Sequence, residues 1–369
     1  MSQPDKKIKE PICPTIKLPE LIQGERLKGA KGSYRVEKKL KDIENCRIYL
    51  VFLNDDKEND KKMEAKIQTK GESSGFWRRF KNEIAILEAA KRYEERCPNL
   101  VHIQDKGELR DIEFIILPHF SHDVEKLYKF LGKFNPEETY KISYHMAEGL
   151  RQLHAMDVFH GYIRLGCYVV SGTEQIKLTD FGHSYTSQTD QDRPKEIDAY
   201  IKPHEYSARC AHVSIMGAYK DDLESLGYCI ASLLHRRALP WRRARPKLML
   251  KLKKKFMSNP SESLEADKVP PSFHKIFNLV ETTRRDEKIN FNAVFQILDS
   301  CALEMKVPLE SKDIYFGMLQ RKQPSKEYSG SHSKETSGDE TKSKDNLELK
   351  GPSQNVIKDP PIPPGKTKH

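Results

Sequence analysis

The chain has 369 residues, with 64 Lys+Arg against 54 Asp+Glu, for a formal charge of +10. A hydrophobic fraction of 37% beside 32% charged residues is too polar for a chain that is core throughout, so part of it must be solvated extension. Seven cysteines, at positions 13, 46, 97, 167, 210, 229 and 301, are odd in number and never spaced C-x-x-C. That excludes a disulfide framework and a cysteine-rich zinc site, and it suggests a reducing compartment.

Residues 1–33 hold Pro4, Pro11, Pro14 and Pro19 among many lysines and read as a flexible basic extension. They contain no apolar leader run, so no secretory leader is expected. From Ser33 the segments SYRVEKKL and CRIYLVFL alternate apolar and polar residues and predict a strand pair joined by KDIEN. A third strand fits Met63–Thr69. A helix follows over Gly75–Tyr93, where Phe80, Ile84, Leu87 and Ala90 recur at helical spacing. Two further strands, LVHIQDKGEL and IEFIILPHF, complete a small sheet before Asp123. Beyond it the signal is helical: Glu137–Met156, Tyr219–His235, Arg245–Met257, Pro271–Thr283 and Asn290–Cys301. The longest apolar run, Leu226–Leu234, is far shorter than the roughly 18 residues of a spanning helix. An intracellular protein, cytoplasmic or nuclear, is the expectation. A sheet-rich first third followed by a helical remainder predicts an α+β fold in two lobes. The tail, 313–369, is expected to be disordered: from Arg321 onward it has six hydrophobic residues among 49, too few to offset its ordering entropy.

The sharpest signal is the order of three motifs. Leu178-Thr179-Asp180-Phe181-Gly182 follows the strand-like IKL, and HGYIRLGC (His160–Cys167) precedes it. Tyr219–Tyr228, reading YKDDLESLGY, comes downstream, followed by Leu239-Pro240-Trp241. D-F-G alone is weak, but these motifs in this order and at these distances are specific. Together they resemble a protein kinase domain of the casein kinase 1 group, nearest the tau-tubulin and vaccinia-related kinases, over about residues 34–312.

The resemblance implies a bilobal kinase fold with a small β-rich N-lobe and a larger helical C-lobe. It places Lys66 as the nucleotide-clamping lysine, Glu83 as its helix partner, Asp180 as the metal-binding aspartate, and Leu117, Pro118 and Phe120 in the hinge. Ala65, rather than Glu64, supplies the small residue before the lysine. Asp222 becomes the aspartate that anchors the catalytic loop, and His160 the loop-anchoring histidine.

Other parts of the family site are replaced. Lys41, Ile43 and Cys46 stand where glycines would let a hairpin lie on the phosphates, and Glu44 would bring negative charge towards them. Tyr162 takes the place of the base aspartate, and a phenol, with a pKa of about 10, accepts a proton poorly. Arg164 replaces the catalytic-loop lysine. Cys167 replaces the metal-binding asparagine, a soft sulfur where magnesium prefers oxygen. Loss of a general base alone costs roughly 10²–10⁴ in rate. Glu205, in Lys202-Pro203-His204-Glu205-Tyr206, occupies a basic position of the family and would repel an acidic substrate.

These residues predict a pseudokinase that acts as a regulatory or scaffolding protein-binding module, with no required cofactor and at most ATP with a single magnesium at Asp180. One alternative is a weak serine/threonine kinase using Lys66, Arg164 and Asp180. Another is a binding module for an anionic partner, built on Arg242, Arg243, Arg245, Lys247, Lys251, Lys253, Lys254 and Lys255. No acid interrupts that run, which also fits an ordinary amphipathic helix with a solvated face.

Overall fold

The computed structural model describes residues 18–43, 46–54, 61–70, 75–171, 175–186, 203–215, 217–264 and 268–310, with only the backbone of 75–78. The predicted tail, the loop residue Glu44 and the first part of the extension lie outside the described residues.

Six antiparallel strands form one sheet: β1 (Arg26–Lys28), β2 (Ser33–Ile43), β3 (Cys46–Leu53), β4 (Lys62–Thr69), β5 (Asp105–Leu109) and β6 (Ile112–Pro118), in the order β1-β2-β3-β4-β6-β5. Helix α1 (Gly75–Arg92) joins β4 to β5 in the chain. One face of the sheet closes a small core of Val36, Tyr49, Val51, Met63, Ala65, Ile67, Phe114 and Ile116. The extension expected over 1–33 is packed from Leu18 onward. Leu21 and Leu27 enter this core, the Leu21 N–H donates to Tyr49 Oη at 3.1 Å, and β1 pairs with β2. Apolar side chains spaced through a basic, proline-rich segment were enough to fold it back onto the sheet.

Asp105 at the start of β5 fixes the β1–β2 turn. Its carboxylate accepts hydrogen bonds from the N–H groups of Ala30, Lys31 and Gly32 and from Tyr34 Oη at 2.8 Å. Burial opposes its charge, but these donors win and hold the carboxyl below the usual range. Gly29 is required here, because a Cβ would lie 2.2 Å from Asp105 Oδ2.

The segment Leu100–Gln104, expected to be strand, is apolar for another reason. It is irregular and buried between the lobes, with Val101 N–H donating to Leu178 O and Leu178 N–H to Asn99 O.

The second lobe begins with α2 (Val124–Leu131), unforeseen although Asp123 caps it and Gly132, at φ 80°, ends it. Helix α3 (Pro136–Ala155) starts in a capping box: Asn135 and Glu138 satisfy each other's backbone N–H, and Pro136 sits at the first turn. Short strands β7 (Val158–Phe159), β8 (Tyr168–Ser171), β9 (Gln175–Leu178) and β10 (Tyr185–Thr186) frame the loop between the lobes, paired β7–β10 and β8–β9. Helix α4 (Tyr219–Leu234) runs through the core and is buried along nearly its whole length. Around it lie α5 (Pro246–Ser258), α6 (Pro260–Ser263), α7 (Lys275–Thr282) and α8 (Phe291–Glu304). Trp241, fully buried, stacks edge-on against Tyr228 and Phe256. Among the described residues no helix is long and apolar enough to cross a membrane.

Candidate active-site cleft

Strand alternation decides what faces the cleft. On β4, Glu64, Lys66 and Gln68 share one face, while Met63, Ala65 and Ile67 point into the sheet's outer core. Lys66 Nζ donates to Glu83 Oε2 on α1 at 2.6 Å, so the structure brings these two predicted residues together. Burial works against the ammonium, but Glu83 keeps Lys66 protonated, above its usual range.

Ala65 is fully buried on the opposite face, and Glu64 is the residue beside Lys66 in the cleft. Glu64 pairs in register with the hinge residue Leu117, and its Oε1 lies 2.8 Å from His119 Nδ1. A carboxylate–imidazole pair therefore bridges β4 to the hinge where Leu117, Pro118 and Phe120 were expected to receive a base. His119 and Glu64 were missed because each matters only through the other, and they lie 55 residues apart.

The hairpin over the cleft departs from a glycine-rich loop as expected. Strands β2 and β3 stay paired to Ile43↔Cys46, with register shifts at Val36/Lys38 and Lys39/Lys41 that twist the ribbon. Cys46 Sγ donates to Gln68 Oε1 at 3.2 Å. A cavity of about 160 Å³ remains beneath, lined by Ile43, Cys46, Lys66, Tyr162, Arg164 and Asp180 among others. Small-molecule pockets usually begin near ~300 Å³.

The loop from His160 to Cys167 hangs on Asp222 of α4. The N–H groups of His160 and Gly161 donate to its two oxygens at 2.6 and 2.8 Å, and His154 Nε2 lies 3.0 Å from Oδ2. Gly161 has φ +74°, and a Cβ there would sit 2.8 Å from the His183 carbonyl oxygen. His160 Nε2 meets Thr179 O at 3.0 Å, and burial lowers its pKa, so it bonds as a neutral ring.

Tyr162 is a packed ring. Its centroid lies 4.7 Å from both His183 and His204, and the Arg164 guanidinium sits 5.7 Å over it. Burial pushes His183 down to about 4 and His204 down to about 3, so both imidazoles are neutral at pH 7.

Asp180 adopts the left-handed conformation at φ 71°. Its Oδ2 accepts from Arg164 Nη2 at 2.9 Å. Burial would raise its pKa, but Lys66 and Arg164 outweigh that and hold it ionised, well below the usual range. Cys167 is fully buried, and burial pushes its thiol far up, so it is protonated. Its Sγ donates to Tyr162 O at 3.4 Å and approaches Asp180 Oδ2 at 3.8 Å.

On the substrate side, Glu205 is compensated: its carboxylate meets Arg242 at 3.2 Å, and its carbonyl accepts from Trp241 Nε1 at 2.7 Å. The repulsion expected from Glu205 is therefore offset by an arginine from the basic run. Lys253, expected on the anionic surface, is fully buried. Its Nζ donates to the carbonyls of His204 and Ser207, lies 3.2 Å from His212 Nε2, and faces the rings of Tyr228 and Trp241 at 5.2 and 5.5 Å. The helix periodicity explains the correction, because Met249, Lys253, Phe256 and Met257 form one inward face. Burial pushes Lys253 down to about 7.

Residues 48–325, three quarters of the chain, match the protein kinase domain family. The chain belongs to the protein kinase family. It is 23% identical over 212 residues to serine/threonine-protein kinase VRK2 of Homo sapiens, covering 53% of this chain and 41% of that protein. It is 22% identical over 195 residues to the probable serine/threonine-protein kinase FPV212 of Fowlpox virus (strain NVSL), covering 51% of this chain and 64% of that one. A shorter match, 28% over 101 residues, reaches the serine/threonine-protein kinase US3 homolog of Equine herpesvirus 1 (strain Ab4p). The chain thus matches less than two thirds of the length of these relatives.

Proposed function

We propose that this kinase-family chain is a pseudokinase, a regulatory or scaffolding protein-binding module with little or no phosphotransfer. The observation that carries the reading is Tyr162. The position that would accept the substrate proton is a phenol ring wedged between two neutral histidines. Around it, Arg164 meets the Asp180 carboxylate where a divalent ion would bind, and the second ligand position is a buried protonated thiol. One carboxylate already paired with arginine does not fit magnesium, which takes near-octahedral oxygen coordination. The Glu64–His119 pair likewise disfavours a base at the hinge.

The second reading, a weak serine/threonine kinase, draws on the intact Lys66–Glu83 pair and on Asp180. Thermal-shift titration of the full chain with ATP, with and without magnesium, separates the two beside an Asp180→Ala control. A ligand at 100 times its Kd stabilises by about 2.7 kcal/mol. The pseudokinase reading expects no magnesium-dependent shift and no turnover. A magnesium-dependent shift lost in the control, with phosphate transfer at about 1 s⁻¹ or faster, would overturn it.

A further inference from the structure

The run from Arg236 to Ser258 holds ten basic residues and no acidic one. The structure removes two of the ten from the surface charge: Lys253 is buried, and Arg242 is paired with Glu205. The other eight are exposed and meet no carboxylate within ion-pair distance among the described residues. Four are arginines of the loop before α5. The remainder, Lys247, Lys251, Lys254 and Lys255, fall at i, i+4, i+7 and i+8 and make one stripe opposite the buried Met249–Phe256 face. The 13-residue helix alone extends this charge over about 20 Å.

We propose that this surface binds the sugar-phosphate backbone of double-stranded nucleic acid without reading its sequence. Stacking on unpaired bases needs exposed aromatic rings, and both aromatics of the run, Trp241 and Phe256, are buried. Asn, Gln, Ser and Thr are absent from residues 236–257, which leaves Arg and Lys, the side chains that contact phosphates and, among the bases, guanine alone. A membrane-lying helix inserts an apolar face, but here that face is used in the core and only Leu248 stands out, 48% exposed. Protein interfaces have apolar centres and are depleted in lysine, which is the reverse of this surface. What remains is a dense array of exposed cations, the charge that neutralises closely spaced phosphates.

The test is fluorescence anisotropy of the full chain with two 20-base-pair duplexes of unrelated sequence, one single strand, and polyglutamate, each across a salt series. Both duplexes should bind alike, and more tightly than the single strand or polyglutamate. With six or more phosphate contacts, affinity should fall by about 10³-fold or more between 50 and 200 mM salt. Changing Lys247, Lys251, Lys254 and Lys255 together to Gln should flatten the log–log salt slope by about 3.6, since each contact contributes about 0.9. All four are exposed, so circular dichroism should be unchanged, and an Arg243→Gln/Arg245→Gln variant gives an independent flattening of about 1.8. Duplex binding with an unaltered slope in both variants, or no duplex binding at 50 mM salt, would overturn the proposal. Polyglutamate bound as tightly as duplex would overturn it too, and would assign the surface to an acidic protein.

Discussion

The ammonium of Lys253 gives this fold a pH dependence that one substitution isolates. The group is fully buried with a folded pKa near 7, against 10.5 for an ordinary lysine. Below pH 7 it is charged in both states and its burial costs stability. Between 7 and 10.5 the unfolded chain holds the proton and the folded chain does not, so stability rises with pH. A full unit of that window recovers about 1.4 kcal/mol; since the folded group is half titrated at pH 7, the gain from pH 7 to 8.5 is about 1.6 kcal/mol. The window avoids His204 and His212, lowered by burial to about 3 and 4, whose effect is complete by pH 7. The buried thiols, about half ionised in the unfolded chain at pH 8.5, are common to wild type and variant and drop out of their difference. The assay is urea unfolding of wild type and Lys253→Met at pH 7.0, 7.5, 8.0 and 8.5. Methionine leaves the carbonyls of His204 and Ser207 without their donor at every pH, so the sign of the offset is not the readout. The stability of wild type relative to the variant should climb by about 1.6 kcal/mol across the series. A constant difference would refute the reasoning and show that Lys253 stays charged in the folded state.

Three further outcomes follow from the geometry. Asp105→Ala should lower stability by about 3 kcal/mol in denaturant unfolding, because five donors lose a charged acceptor; a loss under 1 kcal/mol would mean water replaces it. Gly161→Ala should cost about 1–3 kcal/mol and lower Tm, since the φ of +74° and the His183 carbonyl both oppose a Cβ; an unchanged Tm would contradict the loop geometry. Timed thiol labelling at pH 8 should modify Cys46 and Cys210, which are partly exposed, before Cys97, Cys167, Cys229 and Cys301, which are buried. Early labelling of Cys167 would contradict its burial and its raised pKa.

The replaced positions in the cleft compensate one another. Arg164 supplies Asp180 with a positive charge, and the thiol of Cys167 fills apolar space while donating to the Tyr162 carbonyl. Tyr162 occupies its place by aromatic packing against rings that burial keeps neutral. A base and a second metal ligand are absent from these positions, yet the fold keeps Asp222, the Lys66–Glu83 pair and the Trp241 anchor. Under the pseudokinase reading proposed above, this scaffold serves packing and surface rather than catalysis.

The sequence by itself determined the family and the two-lobed order of elements, and it named Lys66, Glu83, Asp180 and Asp222 as residues of one cleft. Those signals are local motifs or strong periodicities, and local rules decide them. It could not show that Glu64, which alternation puts beside Lys66, meets His119 of the hinge 55 residues away, because neither segment alone states which strand it will pair with. Nor could it separate Lys253 from Lys251 and Lys254 in one basic run, or pair Glu205 with Arg242 across 37 residues. Those outcomes depend on which surface each element turns towards its neighbours, and burial, which sets charge state and partners here, exists only once the chain has packed.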